Sequence, residues 1–321
     1  MKNYEFGKTS DGKIVNAYII ENLNGIRVEF LNYGCILRQF WVSKSDDSYV
    51  NIVYGLDSVA DYEKDRCFFG ALIGRSAGII KNSEISINEN KYKLTANYGQ
   101  DYLNGSLSRR VFEVHDLPAK TLEEASKGIV FTYKSPDGED GFPGNVDIKV
   151  TYLLDDNDVL HMTYEAVSDQ DTILNLTNCS YFCLGADQKV SVNAKRYVDA
   201  GGELKISDLK KVADHPEMDL RTLKNLDDNG PDTGYFNQYY CFEEREYPAW
   251  RPDVEIKAEG RGITMEIRTS EDSVRIFSGN TVGIAIEPQT LPCYAEYVKN
   301  SGLVLEKNKT RTWKSSYKII V

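Results

Sequence analysis

Val146-Asp147-Ile148-Lys149-Val150-Thr151-Tyr152 alternates apolar and polar residues without a break. A chain whose side chains point to opposite faces every second residue buries one face and wets the other, which is the pattern of a half-buried strand. Downstream, Leu160, Met162, Tyr164 and Ala166 alternate with His161, Thr163 and Glu165, and the two runs are joined by the turn-forming Asp155-Asp156-Asn157. Upstream, Ile129, Phe131 and Tyr133 alternate with Val130, Thr132 and Lys134, ahead of the turn signal Pro136-Asp137-Gly138. Near the start of the chain Ile26, Val28 and Phe30 alternate with Arg27 and Glu29, just after Asn24-Gly25. Few segments carry a 3.6-residue period. One is a short helix candidate from Ser58 to Asp65, with Asp57 or Ser58 as its N-cap. Strands and turns recurring this evenly predict an all-β fold, a large antiparallel β-sandwich or barrel-like domain with few short helices.

The composition agrees. Aromatic residues make up 11% of the chain and apolar residues 41%, enough for a large core. A length of 321 residues allows two domains, but all-β folds often exceed 200 residues as one, and no linker or repeat divides the chain. The reading is therefore one domain over residues 1–321. The net charge of −11 argues against nucleic acid and anionic membrane surfaces, both of which require basic patches. No run approaches the ~18–20 apolar residues of a membrane-spanning helix. The opening Met1-Lys2-Asn3-Tyr4-Glu5-Phe6-Gly7 has no apolar signal region, so a cytoplasmic location is expected. Six cysteines are too sparse for a disulfide scaffold and read as free thiols. Cys179 and Cys183 have no neighbouring His in sequence, so no metal is expected.

Six local stretches are more specific: Asn32-Tyr33-Gly34-Cys35-Ile36-Leu37; Tyr54-Gly55-Leu56-Asp57-Ser58 with Asp61-Tyr62; Phe69-Gly70-Ala71-Leu72-Ile73-Gly74-Arg75-Ser76-Ala77; Ser135-Pro136-Asp137-Gly138-Glu139-Asp140-Gly141-Phe142-Pro143-Gly144-Asn145; Asn175-Leu176-Thr177-Asn178 followed by Ser180-Tyr181-Phe182; and Ile286-Glu287-Pro288-Gln289. Together, and in this order, they resemble the aldose 1-epimerase (galactose mutarotase) family. The resemblance implies a galactose mutarotase-like supersandwich with a free or modified aldose in an open cleft. It also implies interconversion of the sugar's anomers without a cofactor. That reaction needs a base for the C1 hydroxyl proton and an acid for the ring oxygen, so that the ring opens, rotates about C1–C2 and recloses.

Carried over position by position, Glu287 is the candidate base. It ends the apolar run Ile284-Ala285-Ile286, where partial burial of a carboxylate would favour a base; the alternative is a solvated strand-end Glu. The family's acidic His corresponds to Cys179, whose thiol carries a proton at neutral pH but is a weak donor; the alternative is a small buried residue. A second family His corresponds to Asn104, which can hydrogen-bond a sugar or simply form an Asn-Gly turn. The candidate substrate-binding set is Asn104, Arg75, Ile79, Tyr181, Phe236 and Arg275. Ile79 stands where the family has a sugar-contacting Arg, and the retained Arg75 has a structural alternative. Phe236 falls at the position of an Asp that grips sugar hydroxyls. Arg275 falls at that of a ligand-touching Gln, where a cation would favour a carboxylate or phosphate. His115, His161 and His215 match no catalytic position. Two functions follow: an aldose 1-epimerase with reduced or altered activity, because both family histidines are replaced, or a non-catalytic carbohydrate-binding protein on the same fold. Lys307-Asn308-Lys309 and Arg311 read as a turn into a last strand at Trp313 to Ile319.

Overall fold

A computed structural model describes residues 2–44, 48–117, 127–201, 203–226, 236–242, 252–279, 282–294 and 302–321. Its largest element is an eight-stranded antiparallel sheet. The strands Val146–Leu154 and Val159–Ser168 lie at its centre, with Lys127–Ser135 on one side and the C-terminal Arg311–Ile320 on the other. Val150 faces Tyr164 and Ile148 faces Ala166 across the hairpin, so the alternating apolar residues form one face. Asp155 accepts from the Asn157 and Val159 amides at 2.9 and 3.0 Å and closes the turn.

Two further sheets complete the sandwich. A five-stranded sheet spans Lys2–Lys8, Ile14–Glu21, Arg27–Leu31, Leu37–Ser43 and Tyr49–Asn51. A six-stranded sheet runs Tyr181–Phe182, Ile284–Gln289, Ser273–Ser278, Phe236–Cys241, Arg196–Asp199 and Lys210–Lys211. Both pack on the large sheet through one continuous core: Phe30 stacks on Tyr152 at 4.3 Å between ring centres, and Phe182 meets Tyr317 edge-on at 5.1 Å.

The single α-helix among the described residues is Val59–Lys64. Ser58 is its N-cap, its hydroxyl accepting from the Asp61 amide, and Val59 and Tyr62 are the buried side. The last strand begins at Arg311, after a turn with Asn308 in the left-handed region. No helix of the described residues is long and apolar enough to cross a membrane.

One residue departs from the alternation. Glu29, on the polar phase of its strand, is buried. A second apolar cluster built from Val15, Leu31, Tyr33 and Val59 covers that face, and Arg38 accompanies Glu29 at 2.6 Å. A buried carboxylate is tolerated there because it is paired.

Candidate active site

The six-stranded sheet sets out the site as two cross-strand rows. Tyr239 is the register partner of Arg275, and Arg275 of Glu287. The next row is Asn237, Phe277, Ala285 and Tyr181. Directly opposed residues of an antiparallel sheet project to the same face, so all of these share the face away from the large sheet.

Glu287 is the floor of this face. Its side chain is 1% exposed, whereas that of Arg275 is 17% exposed. Arg275 Nη1 donates to the two carboxylate oxygens at 3.2 and 3.4 Å, and Nε donates to Asn237 Oδ1 at 3.0 Å. The guanidinium also lies over the Phe277 ring at 5.3 Å. Burial is the largest single influence on Arg275 and works to discharge it, but the Glu287 carboxylate, joined by Tyr239, Cys179 and Tyr181, outweighs it and holds the guanidinium pKa above its ordinary value.

Cys179 approaches from the opposite wall. Its backbone is bracketed by Ala71 and Gly70: the Cys179 amide donates to Ala71 O at 2.9 Å and the Gly70 amide to Cys179 O at 2.8 Å. The thiol lies 3.5 Å from Glu287 Oε1 and 3.6 Å from Cys67 O. Burial, and then the Glu287 charge, push the thiol pKa well above its usual range, so it stays protonated. Tyr181 packs edge-on against Phe69 at 4.8 Å and Phe277 at 6.2 Å, and burial raises its phenol pKa. Burial takes Tyr239 up to about 12.

The remaining predicted residues lie elsewhere. Arg75 is buried and makes four hydrogen bonds, to Ser135 Oγ and O, Pro136 O and Pro143 O, at 2.8–3.1 Å. It pins the Ser135–Asn145 loop, which is the structural alternative; four of its five N–H donors are used there and the side chain is buried away from solvent. Asn104 is buried in the left-handed region, and its side-chain oxygen accepts from the Gly78 amide at 2.9 Å. A Cβ on the following Gly105 would come within 1.9 Å of Gly74 O, which explains the glycine. Ile79 is half-buried, paired with Leu103. Gly78 reaches the site wall: a Cβ there would stand 3.0 Å from the Tyr239 hydroxyl.

Phe236 requires a correction. It lies on the opposite phase of its strand from Tyr239, inside the main core and stacked parallel to Tyr240. The residue on the site face is the next one, Asn237. A period-two strand transfers every side chain to the other face on a one-residue shift, and both phases here carry aromatics, so hydrophobicity alone gave no way to choose. Asn237 and Tyr239 were missed for that reason. Arg275 also differs from expectation: its charge is already matched by Glu287, so it is no surplus cation for an anionic ligand. The three histidines lie away from Glu287, engaged with Thr132, Asp155 and Glu217. Among the described residues no group of three or more His, Cys, Asp or Glu is placed to hold a metal.

The aldose 1-epimerase family model matches residues 16–318. The chain belongs to the aldose 1-epimerase family. A Haemophilus influenzae protein named aldose 1-epimerase is 29% identical over 317 residues, covering 88% of each chain. The pig (Sus scrofa) protein named galactose mutarotase is 28% identical over 305 residues, covering 90% of this chain and 83% of its own. Among solved structures, galactose 1-epimerase from Lactobacillus acidophilus superposes with a TM-score of 0.84 at 23% identity, over 99% of this chain and 98% of that one. That likeness supports the fold, a galactose mutarotase-like antiparallel sandwich. As a member of the aldose 1-epimerase family, this chain has a thiol and an amide, Cys179 and Asn104, where the family resemblance puts imidazoles. The charged donor beside Glu287 is Arg275.

Proposed function

We propose that this aldose 1-epimerase family member binds a free or modified aldose as one domain in the cytoplasm. It interconverts the anomers with Glu287 as base, at a rate lowered by the replaced histidines. The carrying observation is Glu287 itself. It stands at the family's base position, on a strand inside a sheet, buried and oriented from two sides by Arg275 and Cys179. A base so fixed has little rotamer freedom to lose on binding. Taking the C1 hydroxyl proton and returning it after rotation about C1–C2 requires no group beyond an acceptor and a source of protons for the ring oxygen.

A second reading, sugar binding without turnover, has its own support. The Asn104 side-chain oxygen is committed to Gly78, the Cys179 thiol lies against Glu287, and Phe236 is in the core. None of these three delivers a proton to a sugar directly.

An anomer-exchange measurement by NMR or polarimetry on fresh α-galactose and α-glucose tests the proposal. Wild type should accelerate exchange over buffer, and Glu287→Gln should lose about 10²–10⁴-fold of that. Saturable sugar binding with no acceleration would select the binding reading instead. Acceleration that Glu287→Gln leaves intact would remove Glu287 from the mechanism.

A further inference from the structure

We propose that Arg275 is a catalytic residue of the anomer exchange, donating from Nη2 to the ring oxygen of the sugar while Glu287 holds the C1 hydroxyl proton. This rests on the anomer-exchange reading and deepens it.

The guanidinium is divided in its duties. Nε is taken by Asn237 and Nη1 by Glu287, while Nη2 makes no hydrogen bond among the described residues. Arg275 is also the more exposed member of the pair, 17% against 1%. A sugar that reaches the buried carboxylate therefore meets the free edge of the guanidinium on the way. Nη1 and Nη2 belong to one planar fork, so a donor is fixed next to the acceptor with no flexible joint between them. Asn237 and Phe277 hold the plane from the far edge and from below.

The chemistry then balances. Glu287 takes the C1 hydroxyl proton, C1=O forms, and the C1–O5 bond breaks with its electron pair going to O5. The Nη2–H bonds stabilise the charge developing on O5, and a water molecule relays the proton from Glu287 to O5, which keeps it in the open chain while Glu287 returns to carboxylate. After rotation about C1–C2 the same steps run in reverse on the other face of C1. Arg275 stays charged throughout; its part is electrostatic, the role an oxyanion donor plays, for which removal typically costs 10²–10³-fold in kcat.

The test uses wild type, Arg275→Ala, Arg275→Lys and Glu287→Gln in the same NMR anomer-exchange assay, with each fold checked by thermal melting. Arg275→Ala should lose about 10²–10³-fold in kcat with a smaller change in KM. Millimolar guanidinium should restore part of that loss in Arg275→Ala and none in Glu287→Gln. Arg275→Lys keeps the charge beside Glu287 but not the second donor; it should fold and still lose most of kcat, and it decides the matter if the alanine variant does not fold. Wild-type kcat in either Arg275 variant, or a loss in Arg275→Ala that guanidinium does not restore, overturns the proposal. Wild type without acceleration overturns the underlying reading as well, whereas acceleration lost only in Glu287→Gln overturns the role of Arg275 alone.

Discussion

Cys179 Sγ lies 3.5 Å from Glu287 Oε1, so the thiol touches the carboxylate proposed as the base. The thiol stays protonated because burial and the carboxylate charge both raise its pKa. Its proton then serves to orient Glu287. Cys179→Ala should lower kcat by no more than about tenfold, roughly 1.4 kcal/mol, since S–H is a weak donor. A loss of 10²–10⁴-fold would instead mark Cys179 as the acid of the reaction.

Asn237 and Phe236 are adjacent in sequence and belong to different parts of the molecule. Asn237 accepts from Arg275 Nε at 3.0 Å, while Phe236 is packed in the main core. Phe236→Leu should lower stability by about 1–3 kcal/mol and leave kcat/KM within a few-fold. Asn237→Ala frees Nε and should lower kcat/KM in protein that remains folded. Equilibrium unfolding and anomer exchange on the same two variants separate the effects; kinetic loss in Phe236→Leu alone would reverse the assignment of faces.

Arg75 provides a stability prediction with no catalytic component. Arg75→Met keeps much of the volume but strands the Ser135, Pro136 and Pro143 acceptors. Each unsatisfied buried group costs about 1–3 kcal/mol. The urea midpoint should fall clearly, while sugar affinity of the folded protein stays close to wild type. Weakened sugar binding at an unchanged midpoint would return Arg75 to the binding site.

Alkaline pH should destabilise the fold. Burial raises the thiol pKa of Cys35 and Cys179 well above the ordinary value. In the unfolded chain a thiol loses its proton at about 8.5. Above that pH the unfolded state binds fewer protons than the folded one, so stability is full below about 8.5 and falls as pH rises toward the folded values. The slope is about 1.4 kcal/mol per pH unit for each thiol. Urea midpoints from pH 8 to 10 measure it, and Cys35→Ala should make the decline shallower. A midpoint that rises over this range would contradict the sign.

Much of the fold was legible in the chain. Alternation over Val146–Tyr152 and Leu160–Ala166 fixes which residues face the core, because strand geometry leaves two faces and only one is apolar. Ser58 announces the helix through its cap, and Asp155 the hairpin through its side chain. Glu29 was not legible, since its burial depends on a cluster that Val15, Tyr33 and Val59 assemble from separate segments.

For the site, sequence alone determined the run of motifs whose resemblance sets Glu287 against the family's base, and Cys179 and Asn104 against its imidazoles. Motif order along a chain is a one-dimensional property and survives divergence. Only the tertiary structure decided that Arg75 serves a loop, that Asn237 rather than Phe236 shares the face of Glu287, and that Arg275 is bound to Glu287. Those outcomes depend on register and strand pairing, which bring residues 237, 275 and 287 into two neighbouring rows. A linear pattern does not specify which strands will be neighbours, and a charge acquires its role from the charge beside it.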